Sequence, residues 1–479
     1  MKKLLKITTV SVLILSLLAG CGFSPATAAE TPDEKAESTA AVSVSTATVK
    51  ASDLDASVSK RDASGEYDVS KAVTLSPGDD LTITKAGVYI LSGVYENQML
   101  VIEAGEEDKV QLVLENATVK NENGPAIYVR SADKVFITAV EGTVNTIADG
   151  TSYSFTDGET TPDAAVFSKE DLTINGAGQL TITGNNKHAV VSKDDLVVTA
   201  KDLSISAENV GLNGKDSVTL SEATVSITAG SDGIRSENGA DEGKGFISVV
   251  NASVSIVSGK DGIQAETVFS AENTSISICS GSGARSAGSA ESCKGVKAGV
   301  SVSINGGVYQ IDALDDAIHT NGSITISEGV FTLQSRDDGL HANEMIEIQG
   351  GSLDITSYEG IEATYVRISG GEITIQASDD GINAARKSAA YTPTVEISGG
   401  TVTITMGPGD TDGVDSNGDI IISGGTVSVY GNSSFDYDGN ASFIGGTVYV
   451  NGQQVTTIPN QFMGGGPGGG PGGGPGGRH

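Results

Sequence analysis

The chain has 479 residues, a formal net charge of −32 from 61 acidic against 29 basic side chains, and no tryptophan. So large an acidic excess excludes a nucleic-acid partner, which needs lysine and arginine to displace counterions from phosphate. The carboxylates either solvate the surface or gather cations, and their clustering decides which.

Met1-Lys2-Lys3-Leu4-Leu5-Lys6 is a basic leader, and residues 7–18 form an apolar run too short to span a bilayer. The run ends in Leu18-Ala19-Gly20-Cys21, small residues ahead of a thiol. This pattern predicts a lipoprotein signal peptide over residues 1–20 and lipidation of Cys21; the alternative is ordinary secretion with cleavage near Ala28-Ala29. Losing Lys2, Lys3 and Lys6 lowers the net charge to −35. Diacylation would hold the protein stably at a membrane face, so it is expected outside the cytoplasm, on the cell surface, touching the membrane only through Cys21.

Residues 21–66 are rich in Ala, Ser, Thr, Glu and Asp and poor in large apolar groups, which predicts a disordered tether. At the other end, residues 456–479 finish in Gly-Gly-Gly-Pro repeats and are expected to be a flexible tail.

Between them, residues 67–455 alternate Val, Ile, Thr and Ser with glycine punctuation, which predicts an all-β domain. One turn motif recurs: Ser231-Asp232-Gly233-Ile234, Lys260-Asp261-Gly262-Ile263, Asp315-Asp316-Ala317-Ile318, Asp337-Asp338-Gly339-Leu340, Tyr358-Glu359-Gly360-Ile361, Asp379-Asp380-Gly381-Ile382 and Thr411-Asp412-Gly413-Val414. From Asp316 to Asp338, Glu359 and Asp380 the steps are 22, 21 and 21 residues. A second mark, a Gly-Gly pair before a strand, keeps similar time at Gly350, Gly370, Gly399, Gly424 and Gly445. A solenoid with rungs of about 21–24 residues follows, since each short unit can bury its apolar side only by stacking on its neighbours.

Within the turn motif, glycine is expected to supply a positive-φ bend. The next apolar residue (Ile318, Leu340, Ile361, Ile382, Val414) then points inward, and the one after it points outward. The outward set, Arg235, Gln264, His319, His341, Glu362, Asn383 and Asp415, forms a polar stripe. Cys279 and Cys293 flank a Ser/Gly/Ala-rich excursion that reads as a surface loop; either a disulfide staples it or the two thiols stand apart.

Stacked strands lie about 4.8 Å apart, so Asp316, Asp338, Glu359, Asp380 and Asp412 are expected one above another, with Asp315, Asp337 and Asp379 as a partial second row. Adjacent unit charges at that spacing repel by about 3–4 kcal/mol at an effective dielectric of 20. Calcium takes six to eight hard oxygens and removes this cost, so these eight acids are the expected calcium ligands. The alternative is that Asp-Gly is only a turn dipeptide whose carboxylate bonds its own backbone. His319 and His341 are expected to stack and offer hydrogen bonds to sugar hydroxyls rather than to hold a transition metal.

The runs Asp337-Asp338-Gly339-Leu340-His341-Ala342, Ser357-Tyr358-Glu359-Gly360-Ile361-Glu362-Ala363 and Ser378-Asp379-Asp380-Gly381-Ile382-Asn383-Ala384-Ala385 resemble the bacterial carbohydrate-binding β-helix family. Cys293-Lys294-Gly295-Val296-Lys297-Ala298 and the Gly/Pro tail are similar to it as well, over about residues 67–479. The resemblance implies a right-handed parallel β-helix akin to the pectate lyases, with bound calcium, affinity for cellulose and acidic pectic polymers, and no established catalysis. The chain departs from the pattern at Ala317, where glycine is expected, and at Thr411, which breaks the doubled acid.

The expected function is therefore a surface module that binds polysaccharide such as polygalacturonate, with His319, His341, Glu362, Asn383, Tyr358 and Arg336 facing the polymer. Without tryptophan, stacking on sugar rings falls to Tyr358, Tyr437 or similar residues. One alternative is a calcium-dependent uronate lyase with Arg336, Arg235 or Arg386 as base. Another is a structural surface adhesin or fibre subunit assembled by end-to-end self-association of rungs.

Overall fold

A computed structural model describes residues 58–461 apart from 156, 159–160, 288–291 and 410. The signal peptide, Cys21, residues 22–57 of the tether and residues 462–479 of the tail lie outside the described residues.

The domain is all-β with almost no helix. Its alternating sequence is the cause: along Thr224–Ala229, Val225, Ile227 and Ala229 are buried while Thr224, Ser226 and Thr228 face water. The described strands form a 27-stranded and a 15-stranded sheet. Nearly every strand pairs in parallel with its equivalent in the next repeat. Among the described strands the one exception is the last, where Gln453–Val455 runs antiparallel to Thr447–Val450. One apolar column runs Ile318, Leu340, Ile361, Ile382, Val414 and Phe435, each in register with the next, and each is fully buried. It belongs to a continuous core from Leu81 to Ile458. Burial of each such side chain stabilises by about 1.5–3 kcal/mol.

The turn glycines act differently from expectation. Positive φ belongs to the second glycine of the Gly-Gly pairs, Gly351, Gly371, Gly400, Gly425 and Gly446, and not to Gly339, Gly360 or Gly381 of the acid turns. In those turns glycine is required by a close approach. A Cβ on Gly262, Gly295, Gly339, Gly360, Gly381 or Gly413 would stand 2.1–2.5 Å from the γ-methyl of a β-branched core residue, respectively Ile278, Ile311, Ile355, Ile375, Ile404 and Val429. These residues form one register column, and opposite Ala317 its member is Leu333. Leucine carries no methyl on Cβ, so alanine is accommodated opposite it.

Both ends are more ordered than their composition suggested. Residues 58–66, assigned to the tether, contain helix α1 (Lys60–Ser64), closed by a capping box between Ser59 and Asp62 and ended by Gly65 at φ 61°. Asp62 is 1 % exposed, and its Oδ1 accepts from Thr173 Oγ1 at 2.5 Å and lies 3.0 Å from Lys134 Nζ. These few charge-assisted contacts dock a segment that has little apolar surface. At the other end, residues 456–461 were assigned to the tail, yet Ile458 is buried and Gln461 Oε1 accepts from the Ser434 amide at 2.7 Å. Together with the returning strand, this segment covers the last repeat.

Candidate functional site

From Leu212–Gly214 to Ile382–Ala384 each strand of the 15-stranded sheet is three residues long, two inward and one outward, as in Ile318-His319-Thr320. The outward residues stack in register as Asn213, Arg235, Gln264, Lys297, His319, His341, Glu362, Asn383, Asp415 and Asp436. Sequence reading located this stripe but omitted Asn213, Lys297 and Asp436, whose turns lack the Asp-Gly signature.

Beside the stripe runs the turn ladder. The amides of Gly233, Gly262, Gly295, Ala317, Gly339, Gly360 and Gly381 donate to the carbonyls of Asp261, Lys294, Asp316, Asp338, Glu359, Asp380 and Asp412. The expected acid column is thus real, but one of its members is Lys294. The aspartates have a local role besides: Asp316 Oδ1 accepts from the Asp338 amide at 3.1 Å, Asp380 Oδ1 from the Asp412 amide at 2.9 Å, and Asp261 Oδ1 from the Lys294 amide at 2.8 Å. Each carboxylate satisfies the amide of the next repeat, not its own turn.

Charge along the ladder is unevenly balanced. In the upper part, Lys294 Nζ lies 2.7 Å from Asp315 and 2.9 Å from Asp316. His319 Nδ1 is 2.7 Å from Asp316 Oδ2, and His341 Nδ1 is 2.5 Å from Asp338 Oδ2 and 3.1 Å from Glu362. The two imidazoles stack, with centroids 4.6 Å apart and planes at 19°. Lys387 Nζ reaches Glu362 at 2.7 Å.

Burial alone would raise the Asp316 carboxyl, but His319 and Lys294 hold it well below the usual range. Burial would lower His341, yet Asp338 and Glu362 outweigh it and push the ring up to about 10; His319 is lowered by burial. A protonated His341 is a poor metal ligand. This bears on two of the groups whose ligand atoms converge within 4.8 Å, Asp316–His319–His341 and Asp338–His341–Glu362.

In the lower part the balance is lost. Burial, then the Glu362 charge, pushes Glu359 up to about 8. Burial pushes Asp380 up to about 7 and, with Asp412 and Asp436, Asp415 up to about 6. Asn383 donates through Nδ2 to Glu359 at 3.1 Å, while its buried Oδ1 has no hydrogen-bond partner.

Of the eight expected ligands, the structure brings Asp315, Asp316 and Asp337 within 4.8 Å of one another, where Lys294 already sits against the first two. Asp338 converges instead with His341 and Glu362. Glu359, Asp379, Asp380 and Asp412 occupy the ladder or its flank without joining a convergent triad. The histidines are only 15 % and 13 % exposed, and their Nδ1 atoms are committed to aspartates, which leaves Nε2 for other partners. Tyr358 is half-buried and its hydroxyl, bonded to Asp379, is raised to about 12. Tyr437 packs against the core. Arg235 is held by Asp232 at 3.4 Å and by Glu237, whereas Arg336 and Arg386 are exposed.

Cys279 and Cys293 are both buried, and Cys293 Sγ lies 3.5 Å from the Gly259 carbonyl. A further triad, Asp171, Asp194 and Asp195, converges on the 27-stranded sheet; its doubled Asp194-Asp195 was the overlooked sequence signal.

The family described as carbohydrate-binding domain-containing protein matches residues 77–339 and 335–456. A "Carbohydrate-binding domain-containing protein" of Acetivibrio thermocellus is 30 % identical over 129 residues, 27 % of this chain and 45 % of that protein. The chain thus spans less than half of that relative's length. A solved structure described as "the polysaccharide lyase-like protein from C. thermocellum, Gadolinium derivative" shares 30 % identity, covering 44 % of this chain and 90 % of that one, with a TM-score of 0.41.

Proposed function

The chain belongs to the carbohydrate-binding domain-containing protein family, and from that premise we propose that it is a lipid-anchored surface protein that captures acidic polysaccharide through calcium. The parallel registers support a right-handed parallel β-helix as its scaffold, with the stripe and acid ladder along one edge.

The observation that carries the cation reading is the unbalanced lower ladder. Lys294, the raised His341 ring and Lys387 stand against Asp315, Asp316, Asp338 and Glu362, whereas Glu359, Asp380 and Asp415 are all raised by burial and by neighbouring carboxylates. Carboxylates, turn carbonyls and the unpartnered Asn383 Oδ1 are the hard oxygen donors that calcium selects. The fit is better here than at Asp315 and Asp316, where the Lys294 ammonium supplies the positive charge. A bound calcium would neutralise the acids and complete its shell with uronate carboxylates of the polymer.

The lyase reading keeps only Arg336 and Arg386 as candidate bases, because Arg235 is engaged by two acids. The cation proposal is tested by titrating calcium calorimetrically into the mature chain and into Asp380→Asn and Glu359→Gln. Loss of about tenfold or more in affinity in either variant supports it. Equal calcium affinity in all three proteins overturns it.

A further inference from the structure

We propose a second glycan subsite, on the 27-stranded sheet, that takes a neutral hexose polymer without a metal ion. It is built around Tyr365, Arg367 and Tyr391, with Glu347 and Glu396 on either side, and it does not rest on the calcium reading.

Alternation along Tyr365–Ile368 places Val366 and Ile368 in the core and Tyr365 and Arg367 on the outer face. Register then aligns Glu347, Arg367 and Glu396 as one outward row. The guanidinium lies 3.7 Å from a carboxylate on each side and is 44 % exposed. Those distances are longer than the ~2.7–2.9 Å of a charge-assisted hydrogen bond, so the fork remains able to take new partners. Exposed pairs of this kind add little to stability, and folding alone does not account for the row.

Beside it, Tyr365 donates its hydroxyl to Glu396 Oε2 at 2.5 Å, which fixes the ring. Tyr391, from the connection before Thr394–Ile397, lies with its ring centroid 5.6 Å away at 53° and is 38 % exposed. An exposed aromatic face beside planar, multidentate polar groups is the combination that holds a pyranose: the ring stacks on the C–H face and the polar groups take the hydroxyls.

Charge selects the kind of sugar. Two carboxylates around one guanidinium leave the site net negative, which repels a uronate, while both carboxylates can accept hydroxyl protons of a neutral sugar. This distinguishes it from the acid ladder, where a cation would invert the sign.

The test uses the mature chain in excess chelator, with cellohexaose as the neutral probe and tyrosine fluorescence or calorimetry as the readout. Tyr391→Ala and Arg367→Gln alter exposed groups, and an unchanged melting temperature confirms their folding. The expected result is binding by the native chain in chelator and about tenfold weaker binding by each variant, with calcium-dependent binding of polygalacturonate unchanged. The proposal is overturned if the native chain does not bind cellohexaose in chelator, or if both variants bind it as the native chain does. It is equally overturned if the variants lose polygalacturonate in parallel, since the two sites would then be one. A chain that bound cellohexaose here but showed no calcium affinity would leave this subsite standing and remove the calcium reading.

Discussion

The pairing of Ala317 with Leu333 gives a quantitative test of how the turns are built. Of the seven repeats from Gly262 to Gly413, six carry a glycine whose Cβ would stand 2.1–2.5 Å from a branched γ-methyl, and within that stretch only the repeat that carries alanine presents leucine. Leu333→Ile restores the methyl beside Ala317 without changing side-chain volume. Overpacking a filled core costs about 1–3 kcal/mol, so a clear fall in melting temperature is expected. Ala317→Gly alone should cost about 0.5–1 kcal/mol in backbone entropy. The double variant reproduces the neighbouring repeats and should regain most of the Leu333→Ile loss, a coupling of about 1–2 kcal/mol. Chemical and thermal unfolding midpoints of the four proteins form the cycle, read as midpoints because long repeat arrays depart from two-state behaviour. Additive losses, with no recovery in the double variant, would refute this account of the turn glycines.

Three further outcomes are expected. In chelator, Glu359, Asp380 and Asp415, at about 8, 7 and 6, sit above their unfolded values, so the folded state holds extra protons and stability falls as pH rises from about 4 to 8. His341, raised to about 10, adds to the fall above pH 6.5, while the lowered His319 opposes it only weakly; a chelated melting temperature that climbed from pH 5 to pH 8 would contradict this. Lys294→Met leaves Asp315 and Asp316 without their ammonium, which should cost about 3–5 kcal/mol in chelator and be partly recovered by millimolar calcium; an unchanged melting temperature would show that the ammonium is dispensable. Cys21→Ala should move the protein from the membrane fraction to the medium, and unaltered membrane association would exclude lipidation as the anchor.

How much of the molecule was legible depended on what repeats. The period-2 alternation and the 21–22-residue step carried the parallel stacking, because one register error would turn Ile318 or Ile361 out of the core. The outward stripe followed from the same alternation. The neutralising cations were not legible: Lys294 replaces an acid within the motif, and Lys387 lies in an excursion whose return path no pattern fixes. The turn glycine was recognised for the wrong reason, since its demand comes from the γ-methyl of a residue 15 to 23 positions later, a contact visible only when two strands are brought together. Asp62 and Ile458 were missed because single polar or apolar residues in low-complexity ends carry no periodic signal. Tyr391 was missed because its partner Tyr365 precedes it by a full repeat and a loop.

The central claim is that calcium on the acid ladder mediates capture of an acidic glycan. Co-sedimentation of the mature chain with polygalacturonate, in calcium and in chelator, with absorbance followed for unsaturated product, tests it most directly. The account predicts binding in calcium, its loss in chelator and in the Asp380→Asn variant, and no product. Equal binding in calcium and chelator, or none in either, would contradict it.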